Sequence, residues 1–185
     1  MHKKKYVFGF FQNAKTVEGI EDILRDELEI ITPASPENRE ILNSIISQNA
    51  VCVHIRRGDY LNDKWKALQV CDFSYYNEAI EQAKKELEAP VFYVFSTGHD
   101  DIEWIKKNYH FDADIHYVDQ NNPDYEEIRL MMNCRHFIIS NSTFSWWAAF
   151  LSRNKSKIVW TPSVWRKDQP EANAIIPEDW RRIEV

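Results

Sequence analysis

Val51-Cys52-Val53-His54-Ile55 runs directly into Arg56-Arg57-Gly58-Asp59-Tyr60, and this junction decides the fold. The first five residues are too continuously apolar and β-branched for a strand with one wet face, so they predict a parallel strand buried on both sides. The next five are opposite in character: two guanidiniums, a glycine able to turn sharply and a carboxylate. In an open parallel sheet, ligands bind beyond the carboxyl ends of the strands, where these groups fall.

Working outward, similar runs occur at 91–95, 115–118, 137–140 and 157–160, each rich in Val, Ile or Phe and separated from the next by an amphipathic stretch. That alternation predicts an α/β domain with a Rossmann-like parallel sheet and flanking helices, built from five β-α repeats. The helix starts are legible. Ser35 before Pro36 reads as an N-cap with proline at the first helical position. Asp100 with Glu103, and Asp124 with Glu127, read as acidic capping boxes. Residues 162–177 show no clear period. No linker, repeat or low-complexity segment interrupts the chain, so one domain spanning 1–185 is expected.

The 185 residues carry 29 acidic and 23 basic side chains, a net charge of −6. An acidic surface argues against a duplex nucleic-acid binder, which needs a basic face to displace counterions. Only four glycines are present, where average usage of about 7% would give about 13, and they never cluster. No GxGxxG or Walker A loop exists, so a phosphate site must be built from side chains and helix ends. Cys52, Cys71 and Cys134 form no CxxC pair and read as reduced thiols of a reducing compartment, with no structural zinc. Lys3-Lys4-Lys5 opens like a signal peptide, but Gln12 and Asn13 arrive before an apolar core of sufficient length. No run reaches the roughly 18 apolar residues of a membrane span, and a cytoplasmic protein is expected.

The sequence offers two candidate sites. At the first, adjacent side chains on an extended segment point opposite ways, so one of Arg56 and Arg57 faces the ligand while the other pairs with a carboxylate such as Asp59. A diphosphate suits the planar arginine fork. His54, on the strand itself, reads by its own pattern as a buried, hydrogen-bonded histidine. The embedded Arg-Gly-Asp tripeptide is too short to argue for adhesion. At the second, Ser140-Asn141-Ser142-Thr143 precedes an aromatic, alanine-rich helix over 144–151, gathering hydroxyls and free backbone N–H groups at a helix N-terminus. Simple capping by Ser142 or Thr143 accounts for one hydroxyl of this group, not for all. Two apparent metal motifs are set aside. Asp112-Ala113-Asp114 precedes its strand and so faces the wrong edge of the sheet, and Asp100 in His99-Asp100-Asp101 is taken up as a helix cap. No metal is expected.

The pair HIRRGDY and ISNSTFSWWAAFL resembles the bacterial α-1,2-fucosyltransferases of glycosyltransferase family 11. The similarity extends through Tyr6 to Phe11, Ile20 to Glu27, Tyr125 to Cys134, Thr161-Pro162 and Pro177 to Trp180. The resemblance implies a GT-B-like enzyme whose C-terminal Rossmann-like domain binds GDP-fucose and which transfers L-fucose, with inversion and without metal, to a galactoside hydroxyl of a glycan acceptor. It implies that Arg56 contacts the donor β-phosphate, that His54 and Arg57 shape the loop, and that Asp59 orients them; as the carboxylate of the motif, Asp59 is also the candidate base, though it reads more readily as structural than as catalytic. Asn141, Ser142 and Thr143 would complete the phosphate and sugar site. Asp119, just past the third strand, is assigned to guanine N1 and N2, which a carboxylate matches as a bidentate acceptor.

The chain departs from the family pattern in two places. The glycine-rich Gly-Gly-x-Gly-Asn-Gln segment found after the family's first strand has no counterpart, so the chain is expected to represent the C-terminal, donor-binding part alone. The rival expectation is a GDP-sugar or nucleotide-binding module that catalyses nothing. Where relatives carry Ser-Asp-Asp after the second strand, this chain has Ser96-Thr97-Gly98-His99-Asp100-Asp101, an apparent insertion. An apolar surface is expected where another domain would pack, around the strand ends and the tryptophan-rich helix, and self-association would cover it.

Overall fold

A computed structural model describes residues 6–185; the Lys3-Lys4-Lys5 run lies outside them. Six parallel strands form one sheet: β1 (Asn49–His54), β2 (Pro90–Phe95), β3 (Ile115–Tyr117), β4 (His136–Ile138), β5 (Val159–Pro162) and β6 (Arg181–Ile183). Their spatial order is β3-β2-β1-β4-β5-β6. From β1 the chain winds outward through β2 and β3, then returns past β1 to lay down β4, β5 and β6. The order therefore reverses between β1 and β4, which pair with Val51 beside His136 and Val53 beside Ile138. Loops leave these two strands in opposite directions, the place where open parallel sheets generally bind ligands.

The continuous apolar runs are explained by helices on both faces. Along β1, Ala50 and Cys52 point into one core and Val51 and Val53 into the other, as the two-residue period of a strand requires. The first core is closed by α2 (Pro36–Ser47), α5 (Asp124–Met132) and α6 (Thr143–Leu151), through Ile45, Leu130, Met131 and Trp146. The second is closed by α3 (Phe73–Glu86) and α4 (His99–Asn108), through Tyr75, Tyr76, Ile80, Ile102 and Ile105. A short α1 (Glu21–Glu27) lies outside this frame, with no buried residue of its own. None of the helices among the described residues is long and apolar enough to cross a membrane.

Ser35 caps α2 as expected, its hydroxyl accepting from the Asn38 N–H at 3.2 Å with Pro36 at the first position. The two acidic capping boxes do not form. Gly98 and Pro123 occupy the cap positions of α4 and α5, which places Asp100 and Asp124 inside the first turn, where their charge favours the helix dipole. The sixth strand was not anticipated. Its Arg181 and Arg182 are exposed and only Ile183 is buried, as at an edge that needs to shield one face. The aperiodic stretch 162–177 contains a 3₁₀ turn, Pro170–Ile175, and buries Trp165, Ile175 and Ile176 against α6. Trp146 Nε1 donates to the Ile175 carbonyl at 2.8 Å.

The exposed apolar surface lies elsewhere than expected. Trp146 is buried, whereas Tyr6, Phe8 and Phe10 are almost fully exposed and Ile23 on α1 is half-exposed. Cys52 and Cys134 are buried and Cys71 partly buried, all as free thiols. Burial pushes the Cys71 thiol up to about 12, so it is protonated and unreactive at neutral pH.

Candidate functional site

His54 closes β1 where the strand order reverses. It is buried, and its Nδ1 lies 2.9 Å from Ser140 Oγ, two residues past β4. Burial, reinforced by the nearby Arg56 charge, lowers its pKa from 6.5 to about 3, so the imidazole is neutral at physiological pH. It ties the two strand ends together across the switch point.

The arginines then diverge, as an extended segment dictates, but their partners differ from those expected. Arg56 Nη2 donates to Asp59 Oδ1 at 2.7 Å, and its guanidinium lies 5.5 Å from the centre of the Tyr60 ring. Its Nε is buried without a partner. Arg57 turns the other way, its Nε 3.5 Å from Asp101 Oδ1 and its guanidinium stacked 3.1 Å over Trp104 on α4. Asp59 therefore holds Arg56 and not Arg57. The cause is a 3₁₀ turn, Gly58–Leu61, that brings residue 59 back over residue 56. Gly58 has φ +36°, and a Cβ there would meet the Thr97 side chain at 3.2 Å, so both conformation and space favour glycine.

Just past β4, Asn141 is buried and fully engaged. Its Nδ2 donates to the Leu68 carbonyl at 2.9 Å and the Trp165 carbonyl at 3.0 Å, while its Oδ1 accepts from Cys71 Sγ at 3.7 Å. Its own carbonyl accepts from Tyr60 Oη at 3.0 Å. With donors and acceptor engaged inside the protein, the Asn141 side chain ties together the loops that carry Leu68, Cys71 and Trp165. Ser142 sits at the N-cap position of α6 without making the side-chain capping bond. Simple capping therefore does not explain these hydroxyls, since neither Ser142 nor Thr143 donates or accepts through its side chain among the described residues. The α6 N-terminus presents its free backbone N–H groups beside them.

Asp119 lies two residues past β3, its Oδ2 2.8 Å from His99 Nδ1. It lines a small pocket of about 50 Å³ at the carboxyl ends of β2 and β3, together with Ser96, Thr97, Asn122 and Glu127. Burial, with a contribution from Asp124, pushes the Glu127 carboxyl up to about 7. Sequence reasoning treated Glu127 as part of a capping box and missed this place. It missed Asp101 and Trp104 as well, although their separation of three on a helix puts both on one face. His99, Glu103 and Asp119 offer ligand atoms within 4.8 Å of one another, a grouping different from His99-Asp100-Asp101. Lys106 Nζ already neutralises Glu103 at 2.7 Å, which disfavours a cation there. Asp112 pairs with Lys84 at 3.6 Å and Asp114 with His116 at 3.4 Å, both at the amino edge of the sheet. A much larger open cleft, about 1330 Å³, lies between residues 13–26, Phe150 of α6 and Trp180. Trp146 and Phe150 of the second motif line it, but none of residues 54–60 or 140–145 does, so its size does not make it the site.

Arg56 follows β1, and Ser142, Thr143 and the α6 N-terminus follow β4, the strands on either side of the switch point of a Rossmann-like sheet. Groups of these kinds are chemically suited to an anion. Residues 1–184 match the family described as glycosyl transferase family 11, and the chain belongs to it. It is 37% identical over 187 residues to an α-1,2-colitosyltransferase of Escherichia coli, covering 95% of this chain and 61% of that protein. It is 31% identical to the O-antigen biosynthesis glycosyltransferase WbnK of Escherichia coli, covering 86% and 54%. To human galactoside α-(1,2)-fucosyltransferase 1 it is 36% identical over 108 residues, covering 55% and 28%. Among solved structures, fucosyltransferase NodZ from Bradyrhizobium aligns with a TM-score of 0.37 at 14% identity, covering 62% of this chain and 41% of that one. The chain thus spans roughly half to three-fifths of the length of its bacterial relatives.

Proposed function

We propose that the chain is the donor-binding part of a metal-independent, inverting glycosyltransferase that takes GDP-fucose as donor and a galactoside hydroxyl of a glycan as acceptor. One observation carries the reading: Arg56 leaves β1, and Ser142, Thr143 and the α6 N-terminus leave β4, the two strands that pair at the switch point. In this reading Arg56 meets the β-phosphate, the hydroxyls and helix N–H groups meet the remaining oxygens, and His54, Arg57 and Asn141 shape the loops around them. Asp119, with one oxygen on His99, offers the other to the guanine edge. The names of the relatives, an α-1,2-colitosyltransferase and an α-(1,2)-fucosyltransferase, support the linkage.

In the transfer, the acceptor oxygen bonds to the anomeric carbon as the bond to the β-phosphate oxygen breaks, and GDP leaves with the electron pair. Donors already aimed at that growing charge supply about 3 kcal/mol each. The acceptor proton needs a base. Asp59, the carboxylate of the motif, is ion-paired to Arg56 at 2.7 Å, and this favours a second reading in which the chain by itself binds donor without transferring sugar.

Thermal unfolding with GDP, GDP-fucose, GDP-mannose, UDP and ADP, each with and without EDTA, tests the proposal. Ligand at about 100 times its dissociation constant adds about 2.7 kcal/mol. A GDP-selective shift that ignores EDTA and disappears in Arg56→Ala is expected, and no shift with any nucleotide would overturn the reading. Sugar transfer to a β-galactoside by this chain would remove the second reading.

A further inference from the structure

The loop bearing Arg56 is braced from the side by α4, through two residues to which sequence reasoning gave no role. Asp101 uses both carboxylate oxygens on that loop: Oδ2 accepts from the Gly58 N–H at 2.9 Å, and Oδ1 lies 3.5 Å from Arg57 Nε. Trp104, one helical turn further on, stacks beneath the same guanidinium at 3.1 Å. The side chains of Arg57 and Asp101 are 14% and 16% exposed, so water screens their attraction far less than it would on the surface. On the opposite side of Gly58, the Thr97 side chain fills the space where a Cβ would be.

We propose that Asp101 is a positioning residue for the anion site, fixing residues 56–58 so that the Arg56 guanidinium faces the β1/β4 switch point while Arg57 faces away. The inference rests on the donor-binding reading above and deepens it. Two neighbouring guanidiniums repel one another. Arg57 is held by a mostly buried carboxylate and an aromatic face on α4, whereas the Asp59 partner of Arg56 is half-exposed, which leaves Arg56 the freer of the two to answer the charge of an incoming diphosphate. The bond to Gly58 adds what an ion pair alone lacks, because it holds the main chain at the one residue of the loop with positive φ. Arg57 on this account contacts no ligand. It is the handle by which α4 holds the loop.

The test compares Asp101→Ala, which loses both contacts, with Asp101→Asn, which keeps an acceptor oxygen for Gly58 and loses the charge facing Arg57. Ile105→Val, a core change on the same helix, controls for general loosening. Binding of GDP and of inorganic pyrophosphate is measured by calorimetry, and backbone amide exchange at Gly58 by NMR. Asp101→Ala is expected to weaken both ligands about tenfold, as loss of a charge-assisted contact does, and to speed Gly58 exchange. Asp101→Asn should retain Gly58 protection and lose part of the affinity. Ile105→Val should lower the melting temperature with affinity unchanged. If Asp101→Ala binds as the unaltered chain does while Arg56→Ala does not bind, the positioning role is wrong and the donor-binding reading stands. If Gly58 exchange in Asp101→Ala is unchanged, the brace is wrong regardless of affinity. If the unaltered chain binds neither ligand, the donor-binding reading falls and the inference with it.

Discussion

His54 at the end of β1 and Ser140, two residues past β4, meet at 2.9 Å across the point where the strand order reverses. Both are buried, and the histidine is neutral because a charged ring there would lose its hydration beside the Arg56 guanidinium. The folded pKa, about 3, lies below the ordinary 6.5, so between these values the unfolded chain binds the extra proton. Stability therefore rises with pH through this window and falls as acid is added, with a slope approaching about 1.4 kcal/mol per pH unit from this residue. Urea unfolding from pH 7 to pH 4 is expected to show the loss, and His54→Gln to flatten it. A slope identical in the variant would mean that other groups carry the acid sensitivity.

Arg56→Lys keeps a positive charge and gives up the planar fork. Because the proposed ligand presents paired phosphate oxygens, the loss should exceed what charge alone predicts. GDP affinity in calorimetry is expected to fall about tenfold in Arg56→Lys, the worth of one charge-assisted bond, and further in Arg56→Ala. Full affinity in the lysine variant would exclude a bidentate role.

Four of the five strands that sequence reasoning found are buried on both faces; the fifth, β3, is an edge strand with His116 exposed. β1, β2 and β4 bury nearly every residue, which turns them into uninterrupted apolar runs that no helix period explains. β6 escaped because an edge strand needs only Ile183 inside and leaves two arginines in water. The same logic governs the site. An apolar run that ends in His-Ile-Arg-Arg or in Ser-Asn-Ser-Thr marks a strand end, and both marks fell on the switch point. Which carboxylate serves which arginine was not legible. Asp59 reaches Arg56 because the chain turns at Gly58, and Asp101 reaches Arg57 because α4 packs beside β1, 44 residues on in sequence (101 − 57). The internal partners of Asn141 were not legible for a similar reason: Leu68 and Trp165 lie on loops without a period, so nothing local shows that its amide donates to both.

Asn141→Ala is expected to destabilise the fold by about 2–3 kcal/mol, since the Leu68 and Trp165 carbonyls lose their shared donor in a buried place. Chemical denaturation checks the number. Asn141→Asp replaces the donating amide with an acceptor-only carboxylate facing two carbonyls, so it should be worse than alanine. If the aspartate variant were as stable as the unaltered chain, the amide would not be doing the joining.

Gly58→Ala tests whether the loop depends on a conformation that other residues resist. The added methyl meets two penalties there, a φ of +36° and Thr97 atoms at 3.2 Å, and together they should cost about 1–3 kcal/mol of stability. Only the second can be relieved by a neighbour. Thr97→Ala in the same chain opens the space and leaves the dihedral as it was, so partial recovery of melting temperature is expected in the double variant. Recovery to the full value would assign the whole cost to the Thr97 contact and none to the backbone. Because the Gly58 N–H is also the atom that Asp101 holds, GDP affinity should track the backbone penalty, remaining reduced in the double variant even after the clash is gone.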